Sequence, residues 1–166
     1  MFSITVSHLH WLEGSNENED LCLHGHAVAE IGNERLEYDA TVSATALYLL
    51  KSLREDHQIH TSNQMLPCCG FFLIANEDLS RVDICGCANG IDWSVLHEHN
   101  DIVLVTESGK ETRISREEYQ KTVFSFADRI EAFYRESAPK ILPEDPFDRN
   151  GYLAFWNEWN DIRHSK

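Results

Sequence analysis

The feature that most constrains the fold is an amphipathic segment in the last third of the chain. Ser115 and Glu118 form the S-x-x-E pattern of a capping box, in which each side chain satisfies a free backbone N–H in the first turn of a helix. Apolar residues then recur at helical spacing, at Tyr119, Val123, Phe126, Ala127, Ile130, Phe133 and Tyr134. This stripe predicts a helix of about five turns that ends before Pro139 and packs one face against a core.

The segments before this helix show the alternation of apolar and polar residues that is typical of strands. In the first predicted strand, one face is formed by Phe2, Ile4, Val6, His8 and His10. Residues 22–31 and 34–42 are predicted to form a hairpin that turns at Gly32-Asn33. Further short strands are predicted between residues 71 and 114.

Two more helices are predicted from periodicity. Thr41 and Ser43 are N-cap candidates for a helix over residues 44–57, and a last helix is predicted over residues 149–163. The order is therefore strands, helix, strands and two helices. It predicts an α+β fold in which an antiparallel meander sheet of about six or seven short strands has two or three helices packed mainly on one face.

The length of 166 residues suits one domain with a core of its own. Because no repeat and no linker divides the sequence, we expect residues 1–166 to form a single globular domain. Residues 138–166 contain three prolines in their first half, and they are expected to form a peripheral helix and tail.

The charge excludes two kinds of partner and favours a third. The chain has 28 acidic and 14 basic residues, a formal net charge of −14, and no basic run. Such a chain is not expected to bind nucleic acid or an anionic membrane surface. It favours a basic protein, which the negative field would attract over a distance. The densest acidic stretch is EGSNENED, from which we predict Glu13, Glu17, Glu19 and Asp20 as partner-binding residues; the alternative is a solvated loop.

Trp156 and Trp159 are three residues apart on the last predicted helix, beside Phe155. Exposed tryptophans often provide much of the binding energy at protein interfaces. We therefore predict Trp156 and Trp159 as partner-binding residues as well. The alternative is that this edge of the helix packs onto the sheet.

Cysteines and histidines alternate on three predicted strands. The sets are Cys22, His24 and His26; Cys85 and Cys87; and His97 and His99. Two such strands side by side could bring four soft ligands together, as a tetrahedral zinc site needs. The predicted zinc ligands are His24, His26, Cys85, Cys87, His97 and His99, and Cys68 and Cys69 could join them. The alternative is buried, inert cysteines and histidines that only form hydrogen bonds.

The remaining motifs favour a binding protein over an enzyme. The chain has no G-x-S-x-G, no H-E-x-x-H and no glycine-rich phosphate loop. Asp92, which follows a turn at Gly90-Ile91, is expected to accept backbone N–H bonds. Five cysteines, no N-x-Ser/Thr sequon and no basic leader at the start predict a cytoplasmic location with reduced thiols.

Three segments resemble an uncharacterised family of small bacterial proteins: PCCG (67–70), GCANGIDW (86–93) and FWNEW (155–159). The resemblance spans most of the chain and implies no activity. In overall character the chain is also similar to immunity proteins of bacterial toxin systems, which are small acidic cytosolic α+β domains that bind a basic toxin domain. That similarity implies a protein-binding function. The residues leave two alternatives open, which are a zinc-binding protein or small metalloenzyme that uses the cysteine and histidine pairs, and a structural domain of a larger complex.

Overall fold

A computed structural model describes residues 1–12, 17–60, 63–70 and 72–164. The helices are α1 (Val42–Lys51), α2 (Arg116–Glu136) and α3 (Pro146–His164). The strands are β1 (Phe2–His10), β2 (His24–Ile31), β3 (Glu34–Ala40), β4 (Leu66–Pro67), β5 (Phe72–Ala75), β6 (Val82–Cys85), β7 (Gly90–Ile91), β8 (Trp93–Glu98), β9 (Asp101–Thr106) and β10 (Glu111–Ser115). The elements confirm the predicted α+β fold.

The strands pair antiparallel in several small sheets, where the sequence predicted one meander. Two sheets have three strands, in the orders β1-β2-β3 and β10-β9-β8, and two have only a pair, β4-β7 and β5-β6. Pro67, Gly70, Gly86 and Gly90 interrupt the middle of the chain, so β4 and β7 are two residues long. These interruptions explain why the sheet is more fragmented than predicted.

The helix that the capping box predicts is present. The Oγ of Ser115 accepts a hydrogen bond from the Glu118 N–H at 3.2 Å and donates to Glu118 Oε2 at 3.0 Å. The helix ends at Glu136, before Pro139. Its buried face is Tyr119, Val123, Phe126, Ala127 and Ile130.

One hydrophobic core draws on side chains from β1 through α3. At its centre lies α1, which is buried at every position from Val42 to Leu50 and packs against both other helices. A helix that is apolar on all sides belongs in an interior. The sequence predicted this helix over residues 44–57, whereas in the structure it ends at Lys51 and lies inside the core. Its N-cap is Thr41, one of the two predicted candidates.

The first strand changes face at an irregularity. The pairing of β1 with β2 shifts between Ser7 and His10, and His8 has a positive φ of 52°. Beyond this point Leu9 faces inwards, whereas His8 and His10 are exposed. The prediction that both histidines continue the apolar face is therefore wrong, because a bulge reverses the alternation.

None of the helices in the described part of the chain combines the length and the apolar composition needed to span a lipid bilayer.

Candidate functional site

A groove of about 350 Å³ lies between the loop before β2, the strand β5 and the start of α3. Its lining residues are Glu19, Asp20, Leu21, Cys22, Phe72, Leu73, Pro143 and Asp148. Three of these side chains are carboxylates and none is a lysine or arginine. The groove therefore presents negative charge beside an apolar surface.

Hydrogen bonds to backbone groups hold residues 17–20, the described part of the acidic stretch, in place. Asp20 accepts the Leu12 N–H at 2.7 Å on one carboxylate oxygen and the Cys22 N–H at 3.1 Å on the other. The carbonyl of Asn18 accepts the N–H of Ile141 at 2.8 Å. The two rims of the groove are thus joined to each other, and Asp20 has a structural role in addition to its charge.

Lys140, a cation beside this loop, is bound by groups of the protein itself. Lys140 Nζ donates to the Glu17 carbonyl at 2.6 Å and lies 3.0 Å from the centroid of the Trp11 ring. Burial lowers the pKa of Lys140, while the Asp20 and Glu17 carboxylates oppose that shift. The ammonium group of Lys140 thus contacts Trp11 and a carbonyl, whereas the side chains of Glu17 and Glu19 are exposed.

Apolar side chains are exposed beside these carboxylates. Phe72 lines the groove and exposes 52% of its area. Leu142 and Phe147 precede Pro143 and Asp148 directly in the chain and are also exposed. Exposed large apolar residues next to charge of one sign are typical of a surface for another protein.

The thiol in this groove is not suited to nucleophilic chemistry. Burial is the main cause that raises the pKa of Cys22 to about 12; Asp20 adds to the shift and Lys140 opposes it. A thiol with that pKa stays protonated at neutral pH. Cys22 therefore contributes apolar surface to the groove.

A second, larger groove between α1 and α3 is lined by seven charged side chains, most of which form ion pairs with one another. Lys51 Nζ lies 3.2 Å from Glu158 Oε2, and Arg81 Nε lies 3.7 Å from the other oxygen. Arg54 pairs with Asp161 nearby. A surface whose charges are already paired has less to offer a charged partner, so we regard the acidic groove as the candidate site.

The predicted partner-binding residues lie in different surroundings. Glu13 lies outside the described residues. Glu17 and Glu19 are exposed and Asp20 is half-buried. Trp159 is fully buried and its Nε1 donates to Glu131 Oε2 at 3.2 Å, whereas Trp156 is half-buried.

The half-buried Trp156 belongs to an aromatic cluster. Its ring packs edge-on against Tyr134, with 5.0 Å between centroids, and against Phe155 at 5.3 Å. Tyr134 is the last residue of the apolar stripe of α2, so the end of that stripe contacts Trp156 of α3. The tryptophan helix thus packs inwards in this structure.

A second cluster, of sulfur atoms, forms where β4 meets β7. The Sγ atoms of Cys68, Cys69 and Cys87 all lie within 4.8 Å of one another and all three residues are half-buried. Cys68 and Cys87 form a disulfide, whereas Cys22, Cys69 and Cys85 are free. The sequence predicted reduced thiols, and this pair is the exception.

The local backbone explains how cysteines 19 residues apart meet. Pro67 pairs with Gly90 in the β4-β7 ladder, and the Cys68 N–H donates to the Asn89 carbonyl at 3.1 Å. The Cys87 N–H donates to Cys69 Sγ at 2.9 Å. The turn before β7 is thereby placed directly over the end of β4.

Of the six predicted zinc ligands, Cys87 alone belongs to this sulfur cluster, which is the single group of three or more close metal-binding side chains in the described ranges. His24 and His26 lie on β2, His97 on β8 and Cys85 on β6, and these strands belong to three separate sheets. His26 and His97 bond to Asp39 and Asp56, each at 2.7 Å. His99 is exposed in the turn after β8.

Asp92 has the structural role that the sequence predicted. Its buried Oδ1 accepts the backbone N–H groups of Met65 at 3.1 Å and Trp93 at 3.0 Å. The same oxygen lies 2.7 Å from His57 Nε2. These bonds join the loop after α1 to the start of β8.

Comparisons with protein-family models, with curated protein sequences and with solved structures found no match to this chain. The groove and the sulfur cluster are therefore the features that indicate a function. The resemblance of the PCCG, GCANGIDW and FWNEW segments to a bacterial family stays an interpretation of the sequence.

Proposed function

We propose that this protein is a small binding module for a basic protein, and that the acidic groove is the contact surface. The observation behind this proposal is the lining of the groove. Glu19, Asp20 and Asp148 line the same groove as the exposed side chain of Phe72, and no lysine or arginine lines the groove with them.

The physical argument has a long-range and a short-range part. A formal charge of −14 attracts a basic partner and accelerates association, an effect that salt weakens. At contact, lysine or arginine side chains of the partner would pair with Glu17, Glu19 and Asp148 at the rim. An apolar side chain of the partner would cover Phe72 and Pro143, which supplies the hydrophobic part of the binding energy.

The form of this function that we propose is immunity-type inhibition of a basic toxin domain in the cytoplasm. The small size, the acidity and the α+β architecture support it, since the chain shares them with immunity proteins in general character. Neither nucleic acid nor an anionic membrane surface suits a site whose charged lining residues are all carboxylates.

Zinc binding is a second candidate function. It is favoured by one specific observation, the convergence of three cysteine sulfurs within 4.8 Å. This candidate uses a part of the molecule that does not overlap the acidic groove.

The proposal is tested by capture of basic proteins on the immobilised chain at low salt, followed by hydrogen–deuterium exchange of the purified complex. We expect the partner to protect backbone amides in residues 17–23, 72–75 and 141–149. Protection confined to other segments, or a captured partner of acidic composition, would overturn it.

A further inference from the structure

We propose that Cys68, Cys69 and Cys87 bind one zinc ion when the Cys68–Cys87 pair is reduced. Of the six zinc ligands that the sequence predicted, this site contains only Cys87; its other two members, Cys68 and Cys69, are the cysteines that the sequence indicated could join them. It is also independent of the acidic groove.

The spacing of the sulfurs suits this metal. A thiolate lies about 2.3 Å from zinc, so two thiolates on a tetrahedral ion are about 3.8 Å apart. The three Sγ atoms lie within 4.8 Å of one another, and reduction of the Cys68–Cys87 disulfide frees its two sulfurs to separate to that distance. Three half-buried sulfurs leave a fourth position for a solvent molecule.

The backbone around the cluster is built for close approach. The Cys87 N–H points at Cys69 Sγ over 2.9 Å, and a hydrogen bond of this kind stabilises negative charge on sulfur. At Gly86 a Cβ atom would collide with the carbonyl of Cys69, so only glycine fits at this position beside Cys69. At Gly90, φ is +147°, which glycine alone adopts readily, and a Cβ there would collide with the Leu66 carbonyl.

Formation of the site has two chemical steps. A dithiol reductant gives two electrons and two protons to the Cys68–Cys87 disulfide, the S–S bond breaks, two thiols form and the reductant becomes a disulfide. Zinc then displaces one proton from each of the three thiols as three Zn–S bonds form. In a reducing cytoplasm, the two free thiols that the first step produces are the expected state of such a pair.

The test begins with the whole chain, reduced with dithiothreitol and desalted without oxygen, and titrated with cobalt(II) and then zinc. We expect about one equivalent of cobalt to bind with sulfur-to-cobalt charge-transfer absorption in the near ultraviolet, which zinc then abolishes. The oxidised chain is expected to bind at least about tenfold more weakly, since two of its sulfurs are in a disulfide. Absence of charge-transfer absorption in the reduced chain would overturn the proposal.

Two variants and one labelling experiment locate the site. Cys69→Ser is expected to lower zinc affinity by at least about tenfold, whereas Cys85→Ser, an exposed cysteine two residues from Cys87, is expected to change it less than about twofold. Zinc should slow alkylation of Cys68, Cys69 and Cys87 in the unaltered chain but leave Cys85 reactive. This labelling experiment does not depend on the folding of any variant. Equal effects of the two substitutions, or protection of Cys85 alone, would contradict the three-sulfur site.

Discussion

The backbone N–H of Cys87 donates a hydrogen bond to the Sγ of Cys69 across 2.9 Å. This bond joins the turn after β6 to the end of β4, and Gly86 lies against the Cys69 carbonyl beside it. Strands of two residues are not stable alone. The contact between these two cysteines therefore helps to hold β4 and β7 together.

Gly86→Ala is expected to destabilise the fold by about 3 kcal/mol, because the added methyl group overlaps backbone atoms that cannot rotate away. Urea unfolding measures the change. Gly109→Ala is the control: its Cβ meets no atom within 4 Å, so only the strain of a φ of +79° remains, at about 1 kcal/mol. An equal loss in both variants would show that the Cys69 contact is not tight.

Ser115→Ala is expected to cost about 1 kcal/mol of unfolding free energy, because it removes the acceptor of the Glu118 N–H at the start of α2. Ser125, exposed in the middle of the same helix, provides a matched Ser→Ala control. We expect no loss from Ser125→Ala, since alanine has the higher helix propensity. A similar loss at both positions would argue against the cap.

Glu158→Gln is expected to cost about 3 kcal/mol of unfolding free energy, because it leaves the ammonium group of Lys51 without a carboxylate partner while only 14% of that side chain is exposed. Asp161→Asn breaks an exposed ion pair with Arg54 and should cost about 0.5 kcal/mol. Chemical denaturation of both variants gives the comparison. If Glu158→Gln loses less unfolding free energy than Asp161→Asn, the buried ion pair of Lys51 and Glu158 does not stabilise the contact between α1 and α3.

His24 is expected to make the folded state sensitive to acid. Its Nε2 is buried without a hydrogen-bond partner among the described residues, and burial is the main cause that lowers its pKa from 6.5; Asp20 opposes the shift and His10 adds to it. The unfolded chain therefore binds the proton more tightly. Stability is retained above about pH 6.5 and is lost as the pH falls through the folded pKa.

The measurement is the unfolding free energy of His24→Asn over a pH series from about 5 to 7.5. We expect a shallower fall with acid than in the unaltered chain. His99→Asn, at an exposed turn position, should leave the slope unchanged. If His24→Asn keeps the full slope, another group is responsible.

The sequence predicted the elements that local signals define. The capping box at Ser115 and Glu118 and the apolar stripe after it located α2, and the turn at Gly32-Asn33 located the hairpin of β2 and β3. In each case the determining residues are neighbours in the chain. The α+β class followed from their order.

The candidate sites depend on contacts that no local pattern encodes. Cys68 reaches Cys87 only through pairing of two strands too short to alternate, and Lys140 reaches Trp11 from the far end of the chain. The charge of the acidic stretch predicted it as a binding segment. The apolar side of the groove was not predicted, because Phe72 and Pro143 lie far from that stretch in sequence. The burial of Trp159 likewise depends on α2, with which it shares a hydrogen bond to Glu131.

The proposed function is tested most directly by the affinity of the captured basic partner for two variants of equal net charge. The groove variant combines Glu17→Gln, Glu19→Gln and Asp148→Asn. The control variant removes three exposed carboxylates elsewhere, with Glu107→Gln, Glu111→Gln and Glu117→Gln. Asp148 and Glu117 both lie in the first turn of a helix, so the helix-dipole cost is matched.

Titration calorimetry at two salt concentrations gives the dissociation constants. We predict that the groove variant binds at least about tenfold more weakly and with a smaller salt dependence, whereas the control stays within about threefold. Equal weakening of both variants would show that net charge alone attracts the partner. Unchanged binding by the groove variant would contradict the assignment of this groove as the contact surface.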